Sequence, residues 1–323
     1  MKSWQRTLGF AALLFLLILL PHFFTKDYYI HMLVMAGIYV ILAQSLGLIV
    51  GFAGQVSLCH ATFFGIGAYI SALLTLNFRW SFWASFGFGG IGAGIAAFLF
   101  GRIVLKLKGH FLAITTAMFG IMVNLILNNW TGLTKGPMGL PGIPRPSPIS
   151  FFGLRIQFTS RTEYYYLILA FVLLIAWALY RIIKSQVGKA MISIRENEEL
   201  AQSVGIDPMR YKLIAFCIGS SFAGIAGALY AHYILFVSPV SFTLGESINI
   251  LVMMIFGGMQ TFAGPIIGAV FLTVLPEMLR MTGDLRLVIY GLALILLIIF
   301  LPLGICGAIK EKWLLVFEAK PKE

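Results

Sequence analysis

Long apolar runs, repeated along the chain and set apart by a few charged or turn-forming positions, constrain this sequence more than any motif in it. Ten can be marked, at 8–24, 30–50, 61–77, 82–105, 111–129, 164–183, 213–233, 246–259, 264–280 and 286–305. A helix needs about 20 apolar residues to cross the hydrocarbon core of a bilayer, where its backbone groups must be satisfied internally. With 60% hydrophobic and 11% charged residues over 323 positions, a water-soluble globular fold is excluded. The expected fold is all-α: a polytopic integral membrane bundle of about ten spans (8–10), forming one transmembrane domain over 1–323. The run at 246–259 is short and 51–60 is broken by glycine, so either can belong to a partly inserted or discontinuous element.

Orientation follows from the basic residues. With the N-terminus inside, ten spans place 15 of the 23 Lys and Arg residues on the cytoplasmic side, as the positive-inside bias requires. Both termini are therefore expected in the cytoplasm, with 130–163 as an extracytoplasmic loop and 184–212 as a cytoplasmic one. The first run follows Lys2 and Arg6 but ends in Pro21-His22-Phe23-Phe24, which offers no small-residue cleavage site, so it reads as a retained span. The net charge of +11 is scattered between apolar stretches with no sustained basic tract, which argues against nucleic acid. Cys59, Cys217 and Cys306 show no metal-ligand spacing and are expected as buried free thiols.

Gly90, Gly92, Gly94 and Ala97 imitate part of a dinucleotide fingerprint, but they sit inside one apolar run rather than between a strand and a helix. They read as a helix-packing surface, as do Gly219, Ala223 and Gly227. Gly188-Lys189 is followed by Ala190, so no phosphate-binding loop exists there. The five histidines show no catalytic or metal-ligand spacing. The chain is expected to be no enzyme, with no metal and no cofactor of its own.

Within 184–212, the stretch 195–205 reads as a short surface helix. Glu198 and Glu199 suit its first turn, Gly205 suits the position after its end, and Asp207 with Pro208 can start a second helix running into the membrane. Leu200 and Val204 then share one face. The segment is either a lever for a cytoplasmic partner or a solvated loop. Inside the apolar runs, Gln44, Gln55, His60, Asn124 and Asn249 are candidates for a polar path or for helix-to-helix hydrogen bonds. Glu246, Glu277, Arg280, Asp284 and Arg286 are expected near the outer ends. The near-absence of central charge favours an external energy source over ion coupling. Glycine-rich stretches at 51–67 and 257–268 look alike and can mark the inner ends of two related halves.

The stretch Gly51-Phe52-Ala53-Gly54-Gln55-Val56-Ser57-Leu58-Cys59-His60-Ala61, followed by Phe64-Gly65-Ile66-Gly67-Ala68-Tyr69, resembles the G-x-x-G-Q-x-S-L-G-H-A-x-F-x-G-x-G-A-Y signature of branched-chain amino acid ABC transporter permeases. The segments 107–116, 198–212 and 223–230 are similar to the LivM-type subunit, and the resemblance covers nearly the whole chain. It departs at Cys59, where glycine is usual, and at 134–139. The resemblance implies a permease working with a second, LivH-like permease, two cytoplasmic ABC ATPase subunits that bind ATP and Mg, and an extracytoplasmic amino-acid-binding protein, in a bacterial-type inner membrane. It also implies that Arg195, Glu198, Glu199, Leu200, Ala201, Val204, Gly205, Asp207 and Pro208 form the ATPase-coupling segment. Branched-chain or related hydrophobic amino acids are the expected substrates. Urea, short amides or another small solute, or an ATP-independent channel or carrier, are the alternatives.

Overall fold

The computed structural model describes residues 14–23, 27–151, 154–278, 291–292, 295 and 304–308. Its helices are α1 (Leu14–Phe23), α2 (Asp27–Gly47), α3 (His60–Phe78), α4 (Phe82–Val104), α5 (Gly109–Asn129), a single turn α6 (Thr131–Thr134), α7 (Arg161–Lys184), α8 (Gln186–Glu196), α9 (Glu198–Ser203), α10 (Pro208–Ile234), α11 (Leu244–Gly257) and α12 (Gly264–Met278). Six are long and apolar enough to cross a membrane: α2 with its extension to Phe52, then α3, α4, α5, α7 and α10. They coincide with the second to seventh apolar runs. The eighth and ninth runs form α11 and α12, of 14 and 15 residues. At 1.5 Å per residue α11 reaches about 21 Å, short of the ~30 Å core, whereas α12 is helical up to Met278, the last described residue of that stretch. Most of the tenth run and part of the first lie outside the described residues.

The centre of the bundle is α10 laid along α3 and α4, and small residues explain how close they come. A Cβ on Gly67 of α3 would overlap the backbone of Gly224 on α10, and one on Gly227 would overlap the Phe64 carbonyl. Gly90 and Gly94 of α4 receive Ile225 and Ser221 of α10 in the same way. In lipid no hydrophobic gain separates a helix neighbour from a lipid tail, so such dispersion contact drives association. The glycines expected as packing surfaces are used as packing surfaces. Cys59 is buried as expected, but Cys217 and Cys306 are only half-buried; all three are free thiols.

The 130–163 loop is built of turns and short extended pieces, as its Gly/Pro content favours. Strand β1 (Leu140–Pro141) pairs antiparallel with β4 (Phe236–Val237), and β2 (Ile149–Phe151) pairs with β3 (Leu154–Ile156). The Trp83 indole N–H donates to the Ser147 carbonyl (3.1 Å), and His232 Nδ1 lies 2.6 Å from the Pro144 carbonyl. The loop is thereby tied to the ends of α4 and α10. Ser160 and Glu163 close a reciprocal capping box at the start of α7, satisfying amides that a helix terminus leaves unpaired.

Candidate functional site

Two interrupted helices meet inside the bundle. At its far end α2 widens into a π-turn over Leu48–Phe52, with Ala53 N donating to Leu48 O (3.1 Å), a distortion frequent at functional positions. The chain then runs through 53–59 as irregular backbone, with Gly54 at φ +70°, and restarts as α3 at His60. Past α10 it re-enters again: a short turn at Pro239–Phe242 packs its Phe242 ring against Phe64 and under Gly65 before α11 begins. The two restarts touch, because the Ala61 amide in the first turn of α3 donates to Ser247 Oγ in the first turn of α11 (3.0 Å). Helix α5 holds both re-entering segments. Thr116 Oγ1 accepts from Leu58 N (3.0 Å), and Asn124 Nδ2 donates to the carbonyls of Pro239 (2.7 Å) and Phe242 (3.3 Å).

The five expected path residues are divided by this geometry. His60 is fully buried, with Nε2 at 2.9 Å from Ser45 Oγ, while its Nδ1 finds no hydrogen-bond partner among the described residues. Gln55 is 2% exposed and Gln44 5%, and neither amide head is hydrogen-bonded to a described residue. Gln44 turns the other way, toward a small cleft with Leu179, Thr261 and Pro265. Asn124 spends its amide on the re-entrant turn, and Asn249 lies against Glu246. The two glycine-rich stretches come together at one end, where a Cβ on Gly51 would overlap the Met259 carbonyl.

Glu246 was expected near an outer end; the structure shows it half-buried in the first turn of α11. Its carboxyl meets the side chains of Tyr39 and Asn249, and its Oε1 is shielded with no hydrogen-bond partner among the described residues. Tyr39 lies twelve positions into α2, and Ser45, the partner of His60 beside Ala61, lies eighteen in. At 1.5 Å per residue the first turn of α11 sits about 18–27 Å along the roughly 39 Å of Asp27–Phe52. Thr243-x-x-Glu246 has the form of a capping box, like Ser160-x-x-Glu163, yet Thr243 makes no side-chain capping bond. An acid in a first helical turn gains about 0.3–1 kcal/mol from the dipole. A central charge costs about 2.5–3.5 kcal/mol on insertion scales. The dipole alone therefore does not offset a carboxyl group held among apolar helices, and Tyr39 and Asn249 supply its side-chain partners. That assignment was open only to a reader who took 235–243 as re-entrant.

The expected coupling segment is resolved into two helices rather than one starting at Arg195. Helix α8 ends at Glu196, and Asn197 caps α9, its Oδ1 accepting from Leu200 N (3.0 Å). Helix α9 closes at Gly205, with φ +85°, and the bonds Gly205 N to Gln202 O and Ile206 N to Ala201 O complete a Schellman stop. Asp207 Oδ1 then accepts from Met209 N (3.0 Å) to start α10 at Pro208. Leu200 and Val204 stand 65% and 71% exposed, Glu199 is exposed, and Ala201 is buried. Two charged members also face the bundle. Glu198 pairs with Lys212 of α10 (2.8 Å) and Lys108 before α5 (3.6 Å). Arg195 pairs with Glu196 and donates from Nη1 to the Gly51 carbonyl at the π-turn (2.6 Å), its stem lying over Gly54.

At the opposite end a pocket of about 270 Å³ is lined by His31, Arg145, Arg161, Tyr164 and Tyr233 among others. Its guanidinium groups bond backbone carbonyls, Arg145 to Thr159 and Arg161 to Asp27. Among the described residues, no cluster of three or more His, Cys, Asp or Glu is placed to hold a metal.

The family described as the permease component of branched-chain amino acid transport systems matches residues 28–301. The chain belongs to this family. It is 36% identical over 286 residues to the high-affinity branched-chain amino acid transport system permease protein LivM of Escherichia coli, covering 83% of this chain and 67% of that protein. LivM of Salmonella typhimurium is 35% identical, covering 84% and 68%. LivH of Salmonella typhimurium, a second permease protein of that name, is 24% identical over 83% of this chain and 91% of its own length. No solved structure matches the chain. This member of the branched-chain permease family is thus a multi-pass helical membrane protein whose re-entrant crossing lies within the matched region.

Proposed function

We propose that the chain is one permease subunit of an ABC importer that moves branched-chain (Leu, Ile, Val) or related hydrophobic amino acids across a bacterial-type inner membrane. The partners are a second, LivH-like permease, two cytoplasmic ATPases carrying ATP and Mg, and an extracytoplasmic amino-acid-binding protein. In this arrangement the bundle has about ten spans with both termini in the cytoplasm, 130–163 outside and 184–212 inside. The observation that carries the reading, beyond family membership, is the form of α9: two large apolar side chains exposed one turn apart on a capped helix joined directly to α10. An apolar pair held out on a polar surface suits a groove on a partner protein. ATPase closure would move α8 and α9 together, and Arg195 would carry that motion to Gly51 and the re-entrant 53–59 segment. Switching of this kind requires ATP to favour one global state over the other.

The test is purification of the tagged full chain from its own membranes in mild detergent, followed by reconstitution. Recovery of two P-loop ATPases and a second permease, with L-leucine uptake that needs both ATP and binding protein, is the expected result. A lone chain or homo-oligomer moving solute without ATP overturns it.

A further inference from the structure

Helix α7 ends in a graded stripe that the proposed coupling does not use. With 24 residues it is about 36 Å long, more than the ~30 Å hydrocarbon core, so its last turn reaches the headgroup layer. Along one flank stand Leu174, Trp177, Tyr180, Arg181 and Lys184, at spacings of three and four that bring neighbours onto one face. All five are exposed, Leu174 by 58% and Trp177 by 64%. The Arg181 guanidinium carbon lies 5.9 Å from the Trp177 ring centre, and Lys184 Nζ lies 5.9 Å from the Tyr180 ring centre. Phe262 meets Tyr180 edge to face at 5.5 Å and braces it. The flank therefore runs from aliphatic through aromatic to cationic over about 15 Å. Among the described residues neither Arg181 nor Lys184 forms an ion pair. The helix dipole accounts for two cations at a C-terminus, but not for the exposed rings beneath them or the aliphatic residue beyond.

We propose that this flank of α7 holds one anionic phospholipid, its phosphate on Arg181 and Lys184 and an acyl chain along Trp177 and Leu174. The order of groups on the helix is the order of groups in such a lipid: phosphate for the cations, the glycerol region for the amphipathic rings, hydrocarbon for the leucine. A zwitterionic lipid brings its own cation to the same place and gains less from the pair. Ser185 ends α7 and caps α8, so the lipid lies at the root of the helix that carries Arg195 and holds that junction at the membrane surface. The proposal requires neither a solute nor an orientation of the chain, and stands apart from the importer reading.

The experiment is native mass spectrometry of the full chain in mild detergent, with phosphatidylglycerol and phosphatidylcholine titrated in together. The wild-type chain retains one phosphatidylglycerol in preference to phosphatidylcholine. Arg181→Gln with Lys184→Gln lowers that preference about tenfold, because each basic residue near a lipid surface adds to anionic binding. As a control, Arg102→Gln with Lys106→Gln removes two exposed cations at the end of α4 that lie over no ring among the described residues, and the preference stays at the wild-type value. An equal fall in both double variants overturns the proposal, because the lipid then responds only to total positive charge. An unchanged preference in the Arg181 and Lys184 variant overturns it as well. Excess inorganic phosphate leaves the lipid bound; displacement by phosphate makes this a site for the free ion and refutes the lipid. A further measurement uses the unaltered chain: phosphatidylglycerol with a photoactivatable acyl chain cross-links within 170–184. Equal cross-linking along the exposed faces of α4 and α5 refutes a site on α7.

Discussion

Removing the Arg195 guanidinium should disconnect α8 and α9, proposed above to dock on an ATPase, from the 53–59 segment. In the structure Arg195 Nη1 donates to the Gly51 carbonyl at 2.6 Å, its side chain is 18% exposed, and Gly51 is buried, so the bond is largely shielded from solvent. The carbonyl lies at the C-terminal end of α2, where the helix dipole favours a cation. A hydrogen bond from a charged donor is worth about 1.5–3 kcal/mol. Taking about 2 kcal/mol, and 1.36 kcal/mol per decade, the state in which α8 and the 53–59 segment move together becomes roughly thirtyfold less populated. Arg195→Ala is therefore expected to cut ATP-driven leucine uptake in proteoliposomes at least tenfold, with the ATPases still bound and still hydrolysing ATP. Arg195→Lys, which keeps a donor but loses the planar reach, should fall between the two. Uptake at the wild-type rate would refute the connection. Loss of ATPase binding would refute it differently, by making Arg195 a docking residue.

Three further outcomes follow from the same geometry. Leu200→Asp with Val204→Asp should leave the detergent-solubilised chain folded, since both side chains are exposed, but abolish co-purification of the ATPases; retained binding in a pull-down would contradict the docking role. Asn124→Ala leaves the Pro239 and Phe242 carbonyls without their amide donor and should lower stability by about 1–3 kcal/mol, measured as a fall in the thermal midpoint in detergent, whereas an unchanged midpoint would show that the re-entrant turn is held elsewhere. Gly67→Val puts a branched side chain into the Gly224 backbone, a mismatch of the kind that costs about 1–3 kcal/mol or more; a monodisperse gel-filtration peak at wild-type yield would mean that α3 and α10 can part without penalty.

Sequence alone determined the helical membrane class, because about 20 apolar residues per run and scarce charge leave no other way to satisfy a backbone in lipid. Among the described residues, six of the ten runs appear as full-length helices. The end of α9 and the start of α10 were equally legible, since the bonds at Gly205, Ile206 and Asp207 reach residues two to five positions away. What only the tertiary structure decided concerns residues whose partners are distant in sequence. Glu246 looks like a helix-capping acid until Tyr39, more than two hundred positions earlier, is found against it. Arg195 and Glu198 look like exposed charges until Gly51 and Lys212 are found beneath them. Nor does hydropathy distinguish a short span from a re-entrant half-helix, because both are apolar; the depth at which α11 starts is set by its contact with α3 at Ala61, Ser247 and Phe242. Periodicity and caps are local properties and can be read along the chain, whereas depth in the membrane and the pairing of a lone charge are properties of the packed bundle.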